Sequence, residues 1–185
     1  MKLEFHNIII RDALLSDAEI LTKWWNDGKI MAHAGFPDGL GTNVEKVRSG
    51  LSKPGRLIIE YEGIPIGEMS YELFRPSEKA LCSGYIIPED HSAAEIGIKL
   101  CLENFREKGL GRICLSLLIK ELFRLGVGEI ILDTMADNLR ARHVYGLLGF
   151  EELRVNENIW VSPDGTAYSS VDYRLVPENF RDFSD

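Results

Sequence analysis

Residues 94–121 constrain this chain more than any other stretch. They open as a short apolar strand over residues 95–102, pass through Arg106-Glu107-Lys108-Gly109-Leu110-Gly111-Arg112, and continue as an apolar helix over residues 113–123. A helix start offers backbone N–H groups that have no acceptor within the helix, and glycine lets an anion come close to them. Gly109 and Gly111 carry no Cβ to obstruct a diphosphate, and Arg106, Lys108 and Arg112 surround the loop with positive charge. This reads as a phosphate cradle; the competing reading is a turn that uses glycine for its shape alone. A P-loop would need Gly-x-x-x-x-Gly-Lys-Ser/Thr, and no such run exists. A dinucleotide fingerprint would need a third glycine or alanine where Cys114 stands. The pattern that remains is Arg106-x-x-Gly109-x-Gly111.

Farther along, residues 128–134 read as a buried strand and residues 137–148 as a helix ended by Gly149. Ala141, Val144, Tyr145 and Leu148 recur at helical spacing, so Tyr145 sits on the inward face. Strand, Arg-x-x-Gly-x-Gly, helix, strand, Asn138-x-x-Ala141, Tyr145 and Leu148-Gly149-Phe150 follow in an order and spacing that resemble the GNAT superfamily of acyl-CoA N-acyltransferases. The resemblance extends over residues 56–175 in order of elements and is sharp over residues 95–150. The strands after Leu-Gly-Phe, with Asp164-Gly165 and then Asp172, look most like the branch that includes ribosomal-protein N-terminal acetyltransferases.

The resemblance implies a mixed α/β (α+β) domain spanning residues 1–185. Its twisted, mostly antiparallel mixed sheet is expected to be splayed between the fourth and fifth strands and flanked by about four helices. It implies acetyl-CoA as co-substrate, with the diphosphate on Arg106, Lys108, Gly109, Leu110, Gly111 and Arg112, and the pantetheine arm along Leu100, Cys101 and Leu102. Packing is the competing role for Cys101. Asn138 matches an asparagine that contacts the cofactor arm, and helix capping is its other reading. Tyr145 matches the tyrosine that protonates the departing thiolate. An amine acceptor must lose a proton before it attacks, and Asp133 or Glu95 is the candidate base, directly or through a water; a salt bridge is the structural alternative for each. His33, His91 and His143 are weaker candidates. Trp24, Trp25, His33, Phe36, Tyr71, Trp160 and Tyr168 are candidate walls of the acceptor pocket. No His/Cys/Asp grouping has metal-ligand spacing, and no Gly-x-Ser-x-Gly elbow supports a covalent serine, so direct transfer in a ternary complex is expected and no metal.

Composition bounds the partners. With 21 basic and 29 acidic residues the net charge is −8, which argues against nonspecific nucleic-acid binding and favours a cationic acceptor. The expected acceptors are a protein N-terminus or a small polyamine-like or aminoglycoside amine; a non-catalytic acyl-CoA-binding module is the alternative class. No apolar run reaches membrane-spanning length, the start lacks a signal peptide, and three cysteines read as reduced thiols, so a cytoplasmic location is expected. A homodimer is a common state in the family.

The remaining elements follow from pattern. Residues 3–11 read as the first strand. Ser16-Asp17-Ala18-Glu19 reads as a capping box opening a helix that Gly28 ends, and Thr42-Asn43-Val44-Glu45 as a second box. Residues 56–61 and 64–74 form a hairpin around Glu62-Gly63. Residues 80–87 read as a further strand within an extra segment, 77–91. Residues 151–161 and 167–176 read as two long strands joined by a turn at 162–166, and the acidic tail 177–185 as frayed.

Overall fold

The computed structural model describes residues 1–80, 85–161 and 165–185, with every side chain among them but those of His33 and Trp160. The turn expected at 162–166 therefore lies largely outside the described residues. The fold is α/β, with an open, mixed and mostly antiparallel sheet. Its contacts divide the chain into two units, Met1–Tyr71 with Gly97–Cys114, and Glu72–Ile96 with Leu115–Asp185.

In the first unit, β1 (Lys2–Phe5), β2 (Ile8–Asp12), β3 (Arg56–Tyr61), β4 (Ile64–Phe74) and the end of β5 (Ala93–Leu100) lie side by side in that order. The single strand expected over residues 3–11 is a hairpin, because His6 takes a left-handed conformation (φ 49°) that histidine tolerates better than most side chains. The β3–β4 hairpin stands as read, with Glu62 (φ 51°) and Gly63 (φ 77°) in the positive-φ pair that a two-residue loop requires.

Three helices pack in this unit: α1 (Ala18–Trp25), α2 (Gly28–Met31) and α3 (Val44–Gly50). The box expected at Ser16 is absent. Instead, Asp17 accepts from the Leu14 N–H at 2.7 Å and is clamped by both Arg11 terminal nitrogens. Burial works against its ionisation, but these donors hold Asp17 below its usual range. Gly28 does not end α1; Asn26 does, and Gly28 opens α2 under the Asp27 cap. Glycine is needed there because a Cβ would lie 2.0 Å from the Pro37 carbonyl oxygen. The second cap is Asn43, one residue on from Thr42, accepting from Lys46 N. Ala18, Leu21, Trp24, Val47, Ile58 and Cys101 form one buried core cluster of this unit.

Beside that core lies Glu68, only 1% exposed. Its carboxylate accepts from Trp25 Nε1 at 2.7 Å, Arg56 at 3.0 Å and Lys99 Nζ at 3.2 Å, so the buried charge is compensated by two cations and an indole.

In the second unit the order is β5, β6 (Glu129–Met135), β8 (Ala167–Leu175), β7 (Glu151–Val161). β5 and β6 run parallel, with a shared register of three pairs from Ala93–Glu129 to Glu95–Ile131, although the strands have eight and seven residues. The β6–β8 and β7–β8 pairs are antiparallel. α4 (Leu110–Arg124) begins in the first unit, and its later turns belong to the second together with α5 (Leu139–Leu148).

Alternation along the strands sorts the side chains of this unit. Register places Ala93, Glu95, Glu129, Ile131, Asp133, Asp172 and Arg174 on one face. Leu132 and Tyr173 lie on the other, where the Tyr145 ring meets Tyr173 at 5.3 Å.

Two expectations are corrected here. The strand expected over residues 80–87 is a single antiparallel bridge, Lys79–Ile86, with residues 81–84 outside the described set. The extra segment has a packing role: Phe74, Ala80, Tyr85 and Ile87 close over Ala93 and Ile131. Nor is the tail frayed. The Phe183 N–H donates to Ser116 Oγ, Arg181 N to the Leu148 carbonyl, and Lys120 pairs with Asp182 and Asp185. Charge made the tail look solvated; Phe180 packed on Phe123 anchors it.

Candidate active site

The first unit carries the loop. β5 ends at Leu100, whose carbonyl accepts from Arg106 Nε at 2.9 Å, so the arginine ties the loop to the strand. Glu107 (φ 62°) and Gly109 (φ 77°) both adopt left-handed conformations, and the chain turns directly into α4 at Leu110. The first turn of α4 contains no acidic residue. Lys108 lies with its ammonium 5.8 Å from the Phe105 ring.

Gly111 tests whether this loop suits a diphosphate. Its φ is not positive, and a Cβ built there would meet Leu100 Cδ1 at an ordinary 3.7 Å. Nothing in the chain's own packing demands glycine, which within a helix costs about 1 kcal/mol relative to alanine. A bare backbone at a cationic helix start fits a ligand that comes close from outside.

The amides of Cys101 and Leu102 are spent elsewhere in this unit, both donating to the Ile66 carbonyl on β4 at 2.9 and 3.2 Å. Cys101 is a buried core thiol, pushed up to about 12 by burial and then by Glu68, so it is inert as a thiolate at neutral pH.

The second unit carries the proton-handling groups. Asp133 and Asp172 are cross-strand partners on one face, and Glu95 from β5 shares that face. Asp172 is 2% exposed and fully engaged, with Arg154 Nε at 2.8 Å and Asn156 Nδ2 at 2.9 Å. Asp133 is solvent-exposed, although neighbouring groups crowd its carboxyl. That partial desolvation, then the charges of Glu95 and Asp172, push its carboxyl up to about 6. Tyr145 is buried, and burial, followed by Asp133 and Tyr173, raises its phenol well above the usual range, so it stays protonated.

Tyr145 packs on the Tyr173 face of the sheet, and Asp133 projects from the opposite one. Asn138 caps α5, accepting from Ala141 N at 3.3 Å, and its amide donates to Thr134 Oγ1 at 3.1 Å. Its capping role is therefore filled.

Other expected residues fall elsewhere. Trp24 is buried in a core cluster, Trp25 is bonded to Glu68, and Phe36 is exposed. The side chains of His33 and Trp160 lie outside the described set. His143 is exposed, and His91 sits between Asp90 at 2.7 Å and Glu129 at 3.4 Å. Sequence reasoning missed Arg154 and gave Asp172 no chemical role; the available signal was an aspartate set between Val171 and Tyr173 in a strand. Among the described residues no group of three His, Cys, Asp or Glu could hold a metal, and no helix is long and apolar enough to cross a membrane.

The chain belongs to the Acetyltransferase (GNAT) family, whose family model matches residues 36–150. It is 37% identical over 62 residues to the [Ribosomal protein bS18]-alanine N-acetyltransferase of Escherichia coli K12. That match covers 34% of this chain, and the chain spans 42% of the length of that relative. Among solved structures, a ribosomal-protein-alanine N-acetyltransferase from Brucella melitensis superposes with a TM-score of 0.71 at 23% identity, over 90% of this chain and 98% of that one. The protein yncA from Salmonella typhimurium, solved with its cofactor acetyl-CoA, gives 0.70 at 19%, over 92% and 94%. These two likenesses speak for the fold.

Proposed function

We propose that the chain transfers an acetyl group from acetyl-CoA to a primary amine by direct attack in a ternary complex. Gly111 carries the proposal, being a helix-start glycine that the chain's own packing does not require, set among Arg106, Lys108 and Arg112. In this reading the α4 start holds the diphosphate through its N–H groups.

Asp133, a carboxyl held near 6, takes the proton that the acceptor ammonium must lose, directly or through a water, with Glu95 the alternative. The amine nitrogen bonds to the thioester carbonyl carbon and releases its second proton to water, the carbon–sulfur bond breaks, and CoA leaves as a thiolate that accepts a hydrogen bond from Tyr145 and takes its proton from water. The raised acidity constant of Tyr145 makes it a hydrogen-bond donor rather than a full proton donor. The groups serving amine and sulfur lie on opposite faces of one sheet, which suits entry of one and exit of the other.

The acceptor is a protein N-terminus or a small amine. Relatives named for ribosomal-protein alanine support the first, and the shared face of Glu95, Asp133 and Asp172 favours a cationic small molecule. The test is an acceptor screen read by CoA release, with peptides beginning in alanine beside di- and polyamines. Acetyl-CoA at a hundred times its Kd raises the Tm, a stabilisation of about 2.7 kcal/mol. Tyr145→Phe slows turnover about a hundredfold with CoA affinity retained. No Tm shift at saturating acetyl-CoA overturns the donor assignment, and wild-type turnover in Tyr145→Phe removes its role.

A further inference from the structure

We infer that Arg154 is a positioning residue that sets the charge behind Asp133 through Asp172, and that an extra residue in β7 delivers it there. The inference rests on reading Asp133 as the base. Register in the β7–β8 ladder passes from Glu152–Tyr173 directly to Arg154–Asp172, so Leu153 is a bulge. A regular ladder would set Leu153 opposite Asp172 and send Arg154 to the opposite face. With the bulge, Arg154 shares the Asp172 face, its Nε 2.8 Å from Oδ2, while Asn156 holds Oδ1 at 2.9 Å. Bulges commonly re-aim a side chain beside a functional site.

Asp172 and Asp133 are direct cross-strand partners, an arrangement that like charges make unfavourable. Glu95 from β5 also presses on Asp133 from the same face, and Tyr145 from α5, on the other face of the sheet, feels the Asp133 charge. Farther along the same face, Glu129 and Arg174 form their own pair at 2.5 Å. Arg154 thus neutralises one of the two carboxylates that press on Asp133. When the pair is intact, Asp133 can ionise near neutrality; with the cation gone, the full charge of Asp172 keeps the proton on Asp133.

The experiment follows the Asp133 carboxyl by carbon NMR across pH in the full chain without CoA, alongside the pH profile of kcat/KM. Arg154→Gln is expected to move the Asp133 midpoint up by about one unit and Arg154→Lys to leave it in place. Asp172→Asn moves it down. A midpoint unchanged in Arg154→Gln overturns the inference, as does one unchanged in Asp172→Asn should the first variant fold poorly. If the midpoint moves but the acid limb of kcat/KM does not follow, the charge coupling stands and the assignment of Asp133 as base falls. A merely structural Arg154 would lower Tm or activity at every pH alike.

Discussion

Two single positions separate what the protein needs for folding from what it needs for chemistry. Gly111→Ala meets only an ordinary contact with Leu100 Cδ1, so it should leave Tm unchanged or slightly raised while weakening acetyl-CoA binding at least tenfold, as calorimetry would report. Gly149→Ala could not be so benign, because its Cβ would lie 1.9 Å from the Asn179 carbonyl oxygen at a φ of +96°. Asp133 makes the complementary point. Its carboxyl is raised from 3.8 to about 6, so the folded state holds a proton that the unfolded state releases. Below the unfolded value the group costs nothing; its penalty grows as pH rises through that window and is complete above about 6. Asp133→Asn should therefore raise Tm at pH 7.5 but not at pH 3.5, by a margin that solvent access keeps modest, and it should abolish the acid limb of the rate profile.

Among the elements, the C-terminal tail offers the sharpest test of packing. Deleting residues 177–185 removes Phe180 from Phe123, the donor to Ser116 and both carboxylates on Lys120. A loss of about 2 kcal/mol, and hence a Tm lower by roughly 4–8 °C, is expected in a melting curve. This element also marks where the sequence stopped being legible. Alternation and turn residues placed β3, β4, β7 and β8 within a residue or two, because each strand's pattern is local. The tail's attachment depends on Phe180 and Phe183 meeting partners distant in sequence, and no local pattern records that. The β1–β2 hairpin and the α1 start are local misses: Asn7 beside His6 is a turn former set in a run otherwise rich in β-formers, and Asp17 answers to Arg11 only six residues back. At the candidate site, the glycine loop and Tyr145 were readable because motif and helical spacing fall within one segment. Arg154 was not, since its contact with Asp172 depends on an unsignalled bulge.

At the scale of the whole molecule, a net charge of −8 bears on how acceptors arrive. A field of that sign attracts diamines and polyamines, and salt screens it, so kcat/KM for a dicationic amine should fall about threefold between roughly 0.01 and 0.15 M ionic strength while that for a neutral-bodied peptide changes less. Stopped-flow or steady-state assays at matched pH would read this directly. The strand β5 is exacting about its length. Its early residues register with β6, and its later ones deliver Lys99 to Glu68 and Leu100 to Arg106. One residue added after Ile96 would invert every later side chain, swinging the ammonium off its carboxylate and starting the loop out of step. An insertion there would displace all of these contacts at once, a change that no single neighbouring side chain can offset.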